Sequence, residues 1–240
     1  VFAWGVQFGL SKMNVATIPG GGMNAEMRAQ IVDRFKPTVI CGTTSYALHL
    51  GRVMEEMGLD PASSSVRLML VGGEPGTGIT STRNRLQGLW NATMAEFYGC
   101  TEVSPHCGGY SCQNSEAIDG SVSTHLMEDI QVWELVDAEE NKIIPEGERG
   151  LTVCTSLNSE SSPQLRFLVG DYTVFNSSTC HCGRNHVRAM GSFNGRADDL
   201  IKVSGQWVHP LEVERCLQTH VDIAECAVLA HRLEDQRMVL

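Results

Sequence analysis

Residues 95–102 read Ala-Glu-Phe-Tyr-Gly-Cys-Thr-Glu, an apolar run that gives way to polar residues after Gly99. The pattern predicts the end of a buried strand that breaks at Gly99 into a loop. This loop presents a hydroxyl, Thr101, beside a carboxylate, Glu102. The pair suits a phosphate held with a hard cation, because a hydroxyl hydrogen-bonds phosphate oxygens and a carboxylate binds Mg²⁺. The same pattern also fits an ordinary polar turn after a strand, so the rest of the chain has to decide.

The composition of the 240-residue chain narrows the class of protein. The chain is 42% hydrophobic and 19% charged, which is typical of a globular protein. It carries a formal net charge of −10 and no cluster of Lys or Arg, so neither nucleic acid nor an anionic membrane is an expected partner. No apolar run approaches the roughly 20 residues of a membrane-spanning helix.

The two ends of the chain predict a piece of a longer polypeptide. Val1 stands inside an apolar run without a preceding Met, and residues 237–240 resemble the start of a strand. The nine cysteines accompany no secretory signal, which favours a reducing compartment. The expected localisation is therefore cytoplasmic.

Strands and helices alternate in the first half. Apolar runs predict strands at residues 14–19, 38–41, 66–71 and 93–97, with helices between them. This order predicts an α/β fold with a mostly parallel wound sheet covered by helices on both faces. Ligands of such sheets bind beyond the carboxyl ends of the strands. The turn at residues 73–75 and the loop at residues 98–102 both follow strands, so we expect them to line one cleft.

The second half has a different pattern. Short strands separated by turns, among them 130–136 and 151–156, predict an antiparallel β subdomain. A helix is predicted from Pro210 to Leu217, and a further strand over residues 221–229. We expect a partial N-terminal domain over residues 1–197, divided into an α/β part (1–105) and a β-rich part (106–197). Residues 198–240 are expected to begin a small α+β C-terminal domain.

Several motifs, in one order and at matching separations, carry a family resemblance. The motifs are Thr43-Thr44-Ser45-Tyr46-Ala47-Leu48, Gly73-Glu74-Pro75, Tyr98-Gly99-Cys100-Thr101-Glu102, Leu165-Arg166-Phe167 with Gly170-Asp171, Cys180-His181-Cys182-Gly183, and Gly195-Arg196 with Asp198-Asp199. Together they resemble the adenylate-forming (acyl-CoA synthetase) superfamily, and within it the phenylacetate-CoA ligase family. The resemblance covers nearly the whole chain and implies ATP, Mg²⁺ and coenzyme A as cofactors. It implies ATP-dependent activation of an acid, through an acyl-adenylate, to an acyl-CoA.

The resemblance also assigns roles to single residues. Those implied to contact the nucleotide or coenzyme A are Gly73, Glu74 and Pro75 (adenine), Tyr98 and Gly99 (beside the base), Thr101 (α-phosphate), Asp171 (ribose), Arg196 (ribose and phosphate) and Gly205 (pantetheine). Glu102 is implied as the Mg²⁺ ligand, Asp198 as the hinge and Tyr46 as a wall of the acyl pocket. Thr101, Glu102 and Arg196 form the implied catalytic set.

Two features of the family are missing from this sequence. The Ser/Thr/Gly-rich phosphate loop of the family would precede Val1, and its catalytic lysine would follow Leu240. We therefore expect the 240-residue chain by itself to have little or no adenylating activity.

Cysteine and histidine residues in polar surroundings raise the question of a metal site. Cys180 and Cys182 supply two ligands, whereas structural zinc takes four thiolate or imidazole ligands. Some relatives in the resembled family have a zinc site whose pattern implies Cys112 and His125 as the other two. His106, Cys107 and His181 are competing candidates, and a set of free thiols is the alternative.

Other functions stay open at this level. The acceptor of the acyl or adenylyl group can differ from coenzyme A, as in coenzyme F390 synthetases and carrier-protein ligases. A non-catalytic, zinc-stabilised interaction domain on the same scaffold is a second class. The expected partners are a small carboxylic acid, aromatic by family inference, with ATP and coenzyme A; a homodimer stays open.

Overall fold

A computed structural model describes residues 2–76, 78–112, 122–139, 142–193, 195–203, 206–220, 222–223, 226–232 and 238–239. Five α-helices, one 3-10 helix (Pro61–Ser63) and thirteen strands lie in this part of the chain. The helices are α1 Phe2–Lys12, α2 Ala25–Phe35, α3 Thr44–Glu56, α4 Thr80–Trp90 and α5 Pro210–Leu217. The strands are β1 Val39–Gly42, β2 Leu68–Gly72, β3 Thr93–Cys100, β4 Ser104–Ser111, β5 Thr124–Leu126, β6 Gln131–Val136, β7 Arg149–Ser156, β8 Phe167–Asn176, β9 Arg188–Ala189, β10 Ile201–Val203, β11 Gln206–Val208, β12 His231–Arg232 and β13 Met238–Val239.

Nine of the described strands form one sheet in the order β1-β2-β3-β4-β5-β9-β8-β7-β6. The pairs β1–β2 and β2–β3 are parallel, whereas every pair from β3–β4 onward is antiparallel. The predicted fold class is therefore confirmed, with a parallel α/β half followed by an antiparallel half. The two halves share a sheet because β3 pairs with β2 on one side and with β4 on the other.

The predicted strand at residues 14–19 is wrong. In the structure α1 ends at Lys12, and residues 15–20 form neither helix nor strand. This segment ends in Pro19 followed by three glycines, and proline cannot donate to a strand ladder. The strand predicted over residues 221–229 is also wrong where it is described, since residues 226–229 belong to no strand.

The predicted break of β3 at Gly99 is the third correction. β3 continues to Cys100, and residues 101–103 form the turn of a hairpin into β4. The strand pairing shifts register between Tyr98 and Cys100, where Cys100 pairs with Ser104. Such a bulge bends and twists a strand without ending it. The polar residues after Gly99 therefore form a hairpin tip.

Helices α2, α3 and α4 share one hydrophobic core with β2 and β3. Trp90, at the end of α4, is fully buried in it, and its indole N–H donates to the Ala47 carbonyl of α3 at 3.0 Å. Gly51 of α3 packs so closely against α4 that a Cβ at this position would lie 2.5 Å from Leu89 Cδ2. This core fixes the helices behind the carboxyl ends of β2 and β3.

Helix α5 is docked on the antiparallel half of the sheet. The Arg149 guanidinium, at the start of β7, donates to the Glu212 carboxylate of α5 at 2.9 Å. Arg149 also lies 4.9 Å above the ring of Tyr172, and His209 packs edge-on against that ring at 5.4 Å. The domain boundary at residues 197 and 198 stays a prediction, because these contacts join the two sides of it.

None of the described helices is both long and apolar enough to cross a membrane.

We predict that Trp90→Ala destabilises the protein by about 3–5 kcal/mol, because it empties a large core site. The matched control is Trp207→Ala, whose ring is 61% exposed. That change should cost less than about 1 kcal/mol. Urea unfolding of both variants measures the difference, and equal losses would contradict the assigned core.

We predict that the stability depends on the protonation of His209. Burial lowers the pKa of His209, as does the charge of Arg149, while Glu212 opposes them. The unfolded chain therefore binds more protons than the folded one between the two pKa values, so stability falls as pH drops below about 6.5.

The free energy of unfolding, measured from about pH 5 to pH 8, checks this. His209→Gln should flatten the slope in that window. An unchanged slope in the His209 variant would refute the assignment.

Candidate functional site

A cleft of about 1120 Å³ opens at the carboxyl ends of β2 and β3. Its walls come from the β2–α4 loop, the end of β3, the middle of β8, residues 193 and 195–199, and α5 with described residues that follow it. The residues predicted from sequence that line it are Gly73, Glu74, Pro75, Tyr98, Gly99, Asp171 and Arg196. The structure thus brings together loops that are separated by up to 123 residues in sequence.

The β2–α4 loop is anchored on the first turn of α3. Gly73 has a φ of +84°, a conformation that residues with a side chain rarely adopt. The turn at Gly73 directs the Glu74 carboxylate to the N-terminus of α3, where it accepts a hydrogen bond from the Ser45 N–H. An acidic side chain is favourable at a helix N-terminus, so this contact fixes the position of the loop.

Asp171 of β8 lies at the centre of the polar part of the cleft. The Tyr98 hydroxyl donates to Asp171 Oδ2 at 2.5 Å, and Arg196 Nη1 donates to Oδ1 at 3.2 Å. Arg196 also holds both oxygens of Asp198, at 2.8 and 3.1 Å. The ring of Phe193 stacks on Tyr98, with centroids 3.4 Å apart and planes 13° apart. The result is a carboxylate beside a flat aromatic pair and a guanidinium.

The electrostatics of this group follow from its burial. Burial raises the pKa of Asp171, although the hydrogen bond from Tyr98 and the charge of Arg196 act against it. Burial, together with the negative charge of Asp171, also raises the pKa of the Tyr98 hydroxyl. Tyr98 is therefore a hydrogen-bond donor at neutral pH, and the guanidinium of Arg196 supplies a fixed positive charge.

Thr101 and Glu102 are placed differently from the other predicted residues. Both are exposed at the tip of the β3–β4 hairpin, and neither belongs to the residues that line the cleft. They follow directly on Cys100, which does line it. Their assignment to phosphate and Mg²⁺ stays a prediction from the resemblance.

The remaining predicted residues lie at the margins of the cleft or elsewhere. Tyr46 packs partly buried against the helical core, with the Arg28 guanidinium 4.5 Å from its ring centroid. It is not a lining residue, although Thr44 and Ser45 before it are. Asp198 is exposed and bound to Arg196. Gly205 lies outside the described residues.

A second site lies away from the cleft and consists of Cys112, His125, Cys180 and Cys182. Their candidate ligand atoms all lie within 4.8 Å of one another. Cys180 and Cys112 have their sulfurs 3.9 Å apart, and the Cys182 sulfur is 3.4 Å from His125 Nε2. Tetrahedral zinc, with bonds of about 2.3 Å to sulfur and 2.0–2.1 Å to nitrogen, places such atoms about 3.8 and 3.6 Å apart.

The ionisation of these residues suits ligands. Hydrogen bonds from the backbone and side chain of Arg184 lower the pKa of Cys182 to about 6, and burial lowers the pKa of His125. Among the competing candidates, His181 is exposed and outside this cluster. The side chains of His106 and Cys107 lie outside the described part of the chain.

Sequence reasoning missed two kinds of cleft residue. Glu96 lines the cleft from β3, and its signal was an acid inside an otherwise apolar strand. Phe193, His209 and Glu214 also line it, and no sequence motif marked them. Their positions depend on how the chain returns to the cleft after β9 and on the docking of α5.

Comparisons with known proteins agree with this geometry. The family described as AMP-binding enzyme matches residues 7–156. A phenylacetate-coenzyme A ligase of Thermus thermophilus is 32% identical over 213 residues, which are 89% of this chain and 46% of that protein. The chain thus spans about half the length of the curated relatives it matches.

Solved structures show the same relation. The crystal structure of 2-hydroxyisobutyryl-CoA ligase in the postadenylation state, in complex with 2-HIB-AMP, superimposes with a TM-score of 0.82 at 27% identity. It covers 91% of this chain and 46% of that one. The same ligase in the thioesterification state, in complex with 2-HIB-AMP and CoA, gives a TM-score of 0.75 at 27% identity. This match covers 91% of this chain and 45% of that one.

The family match covers more than half of the chain, and the motifs, the sheet and the cleft all agree with it. The chain therefore belongs to the AMP-binding enzyme family, and over most of its length it is similar to phenylacetate-coenzyme A ligases.

Proposed function

We propose that the full-length polypeptide activates a carboxylic acid with ATP, through an acyl-adenylate, and transfers the acyl group to coenzyme A. The observation that carries the proposal is the convergence of Glu74, Tyr98, Asp171 and Arg196 on one cleft. This arrangement offers stacking, hydrogen-bonding and positively charged groups together, which a nucleotide requires. It also lies where the ligands of wound sheets bind.

The chain's own residues fit the parts of a bound nucleotide. The paired rings of Tyr98 and Phe193 supply an aromatic wall for a base, and the β2–α4 loop supplies backbone groups along it. Asp171 retains carboxylate lone pairs beside Tyr98 and Arg196, which suits acceptance from the two ribose hydroxyls. Arg196 then holds the sugar and phosphate side by charge and hydrogen bonds.

The reaction needs little covalent chemistry from the protein. The acid's carboxylate attacks the α-phosphorus of ATP and pyrophosphate leaves, so the protein's part is to position the reactants and stabilise charge. In the proposal Thr101 binds the α-phosphate, and Glu102 holds the Mg²⁺ that neutralises charge on the phosphates. Both residues lie in the hairpin turn that follows β3, the strand that carries Tyr98.

A change of domain position is part of the proposal. Arg196 and Asp198 are paired in the segment that leads to α5, and Asp198 is proposed as the hinge. In the proposal, the docked position of α5 is the arrangement of the first half-reaction. Rotation about residue 198 would then free the cleft for the thiol of coenzyme A.

The acid is proposed to be aromatic and similar to phenylacetate. Apolar side chains that line the cleft, such as Leu48, Ile79 and Phe97, offer a wall for a ring. The names of the curated relatives, phenylacetate-coenzyme A ligases, support this class. The alternative is an adenylate-forming enzyme whose acceptor is not coenzyme A. It shares the adenylation step with the proposed enzyme and differs only in the transfer step.

A non-catalytic scaffold is less well supported. Such a protein has no need to keep acidic and basic groups at residues 74, 171 and 196, and the structure gathers all three in one cleft. ATP binding by the full-length protein separates the two classes directly.

The test is acid-dependent release of pyrophosphate by the full-length polypeptide with ATP and a panel of carboxylic acids. We predict that Asp171→Asn raises the KM for ATP by about tenfold to a hundredfold, because it removes a charged hydrogen-bond acceptor. Asp33→Asn is the matched control, since Asp33 pairs only with Lys36 on the exposed surface of α2 among the contacts described. No release with any acid, or equal kinetics of the two variants, would refute the proposal.

We also propose that Cys112, His125, Cys180 and Cys182 bind a structural zinc ion. Two thiolates come from the knuckle between β8 and β9, and the other ligands come from the end of β4 and from β5. The Cys180–Cys112 separation of 3.9 Å and the Cys182–His125 separation of 3.4 Å are close to those around a tetrahedral zinc ion. A zinc ion would supply no chemistry to the cleft; it would tie three parts of the sheet together.

We predict about one zinc ion per purified wild-type chain and none in Cys180→Ser, measured by elemental analysis. Cys216→Ser is the control, because that thiol is exposed and outside the cluster. A chelator should lower the melting temperature of the wild type and leave Cys180→Ser unaffected. Zinc-free wild-type protein would show that there is no site.

A further inference from the structure

Glu96 is a buried acid at the floor of the cleft that the proposed chemistry does not use. Its side chain is 6% exposed, in a strand whose neighbours Met94 and Phe97 belong to the hydrophobic interior. Burying a carboxylate costs free energy unless hydrogen bonds compensate it. The contacts of Glu96 should therefore reveal what it does.

Among the contacts described, two hydrogen bonds reach this carboxylate from different parts of the chain, and it also interacts with the positive charge of Arg215 on α5. The Gly78 N–H, in the β2–α4 loop, donates to Oε2 at 3.1 Å. The Ser192 hydroxyl, in the segment after β9, donates to Oε1 at 2.5 Å. Each oxygen thus holds one segment, and these two segments lie 114 residues apart in sequence.

The two segments also touch each other directly. A Cβ added at Gly78 would lie 2.8 Å from Ser192 Cβ and 3.1 Å from the Gly191 carbonyl oxygen. Ser192 is held further by Thr124, whose hydroxyl donates to its side chain at 3.3 Å, and by Thr173, whose hydroxyl donates to its carbonyl at 2.8 Å. Glu96 is thus the charged centre of a close-packed junction.

Each segment carries a wall of the cleft. Gly78 belongs to the loop that presents Glu74 and Pro75, and Ser192 immediately precedes Phe193, which stacks on Tyr98. A shift at Glu96 therefore moves the loop and the aromatic pair relative to each other. The hydrogen-bonded carboxylate, together with the direct contact between Gly78 and Ser192, sets the separation of the loop and the aromatic pair.

We propose that Glu96 is a positioning residue for the nucleotide subsite, whose carboxylate holds the described residues 73–76 and 78–79 at a fixed separation from residues 191–193. The expected effect on the KM for ATP rests on the proposed function, whereas the expected effect on the two segments does not. It adds a residue outside the motifs that carried the family resemblance.

The test compares three variants of the full-length polypeptide. Glu96→Met removes both acceptors at similar volume, and Ser192→Ala removes one donor. Glu96→Gln is the conservative variant, because its amide oxygen can accept from Gly78 while its amide N–H donates to the Ser192 hydroxyl. Glu139→Gln, at an exposed turn, is the control.

Two readouts are used, of which one is independent of catalysis. Amide hydrogen exchange should become faster in peptides covering 73–79 and 191–193 in Glu96→Met, and should stay near wild type in Glu96→Gln. The KM for ATP should rise about tenfold to a hundredfold in Glu96→Met, with a smaller change in kcat, and Glu96→Gln should restore most of it. Ser192→Ala should fall between them.

The outcomes separate this inference from the proposed function. Unchanged exchange of both segments in Glu96→Met would overturn the structural tie. Faster exchange with an unchanged KM for ATP, in an active enzyme, would overturn the positioning role while the proposed function stands. If the wild type releases no pyrophosphate, the proposed function fails, and the exchange comparison alone decides whether Glu96 holds the two segments.

Discussion

The hydrogen bond from Tyr98 to Asp171 joins the two halves of the sheet across the cleft. Tyr98 belongs to β3, the last of the parallel strands, and Asp171 belongs to β8 in the antiparallel half. Because both groups are largely buried, neither can exchange its partner for water without a cost in free energy. The separation of the two halves at the cleft is therefore set by this contact and by Arg196 beside it.

The floor of the cleft is unusual because it holds two buried carboxylates. Asp171 is held by a phenol and a guanidinium, and Glu96 by a backbone N–H and a serine hydroxyl. Hydrophobic side chains of similar volume often stabilise a fold at least as well as buried charges do. The presence of both Asp171 and Glu96 at one cleft therefore fits a site at which precise geometry matters more than the stability of the fold.

The Cys112, His125, Cys180 and Cys182 cluster and the docked α5 both lie against the antiparallel half of the sheet. Cys112 and Cys180 are 68 residues apart in sequence, so an ion between them would close a long loop and restrict the unfolded chain. The contacts of Arg149 and Tyr172 with α5 are more exposed and therefore weaker. This difference is what the proposed rotation about residue 198 requires.

The sequence by itself determined the family through its resemblance in motifs. It also determined the parallel order of β1–β3, the bounds of α5 and the loops that meet at the cleft, which follow from short-range patterns: apolar period, proline at the start of a helix, and glycine-rich turns after strands. Only the tertiary structure decided that β3 continues past Gly99, that residues 14–19 form no strand, and that Glu96, Phe193 and α5 line the cleft. A strand needs a neighbour to pair with, and a buried acid needs donors from distant segments; neither is written in the local sequence, because both depend on which parts of the chain meet.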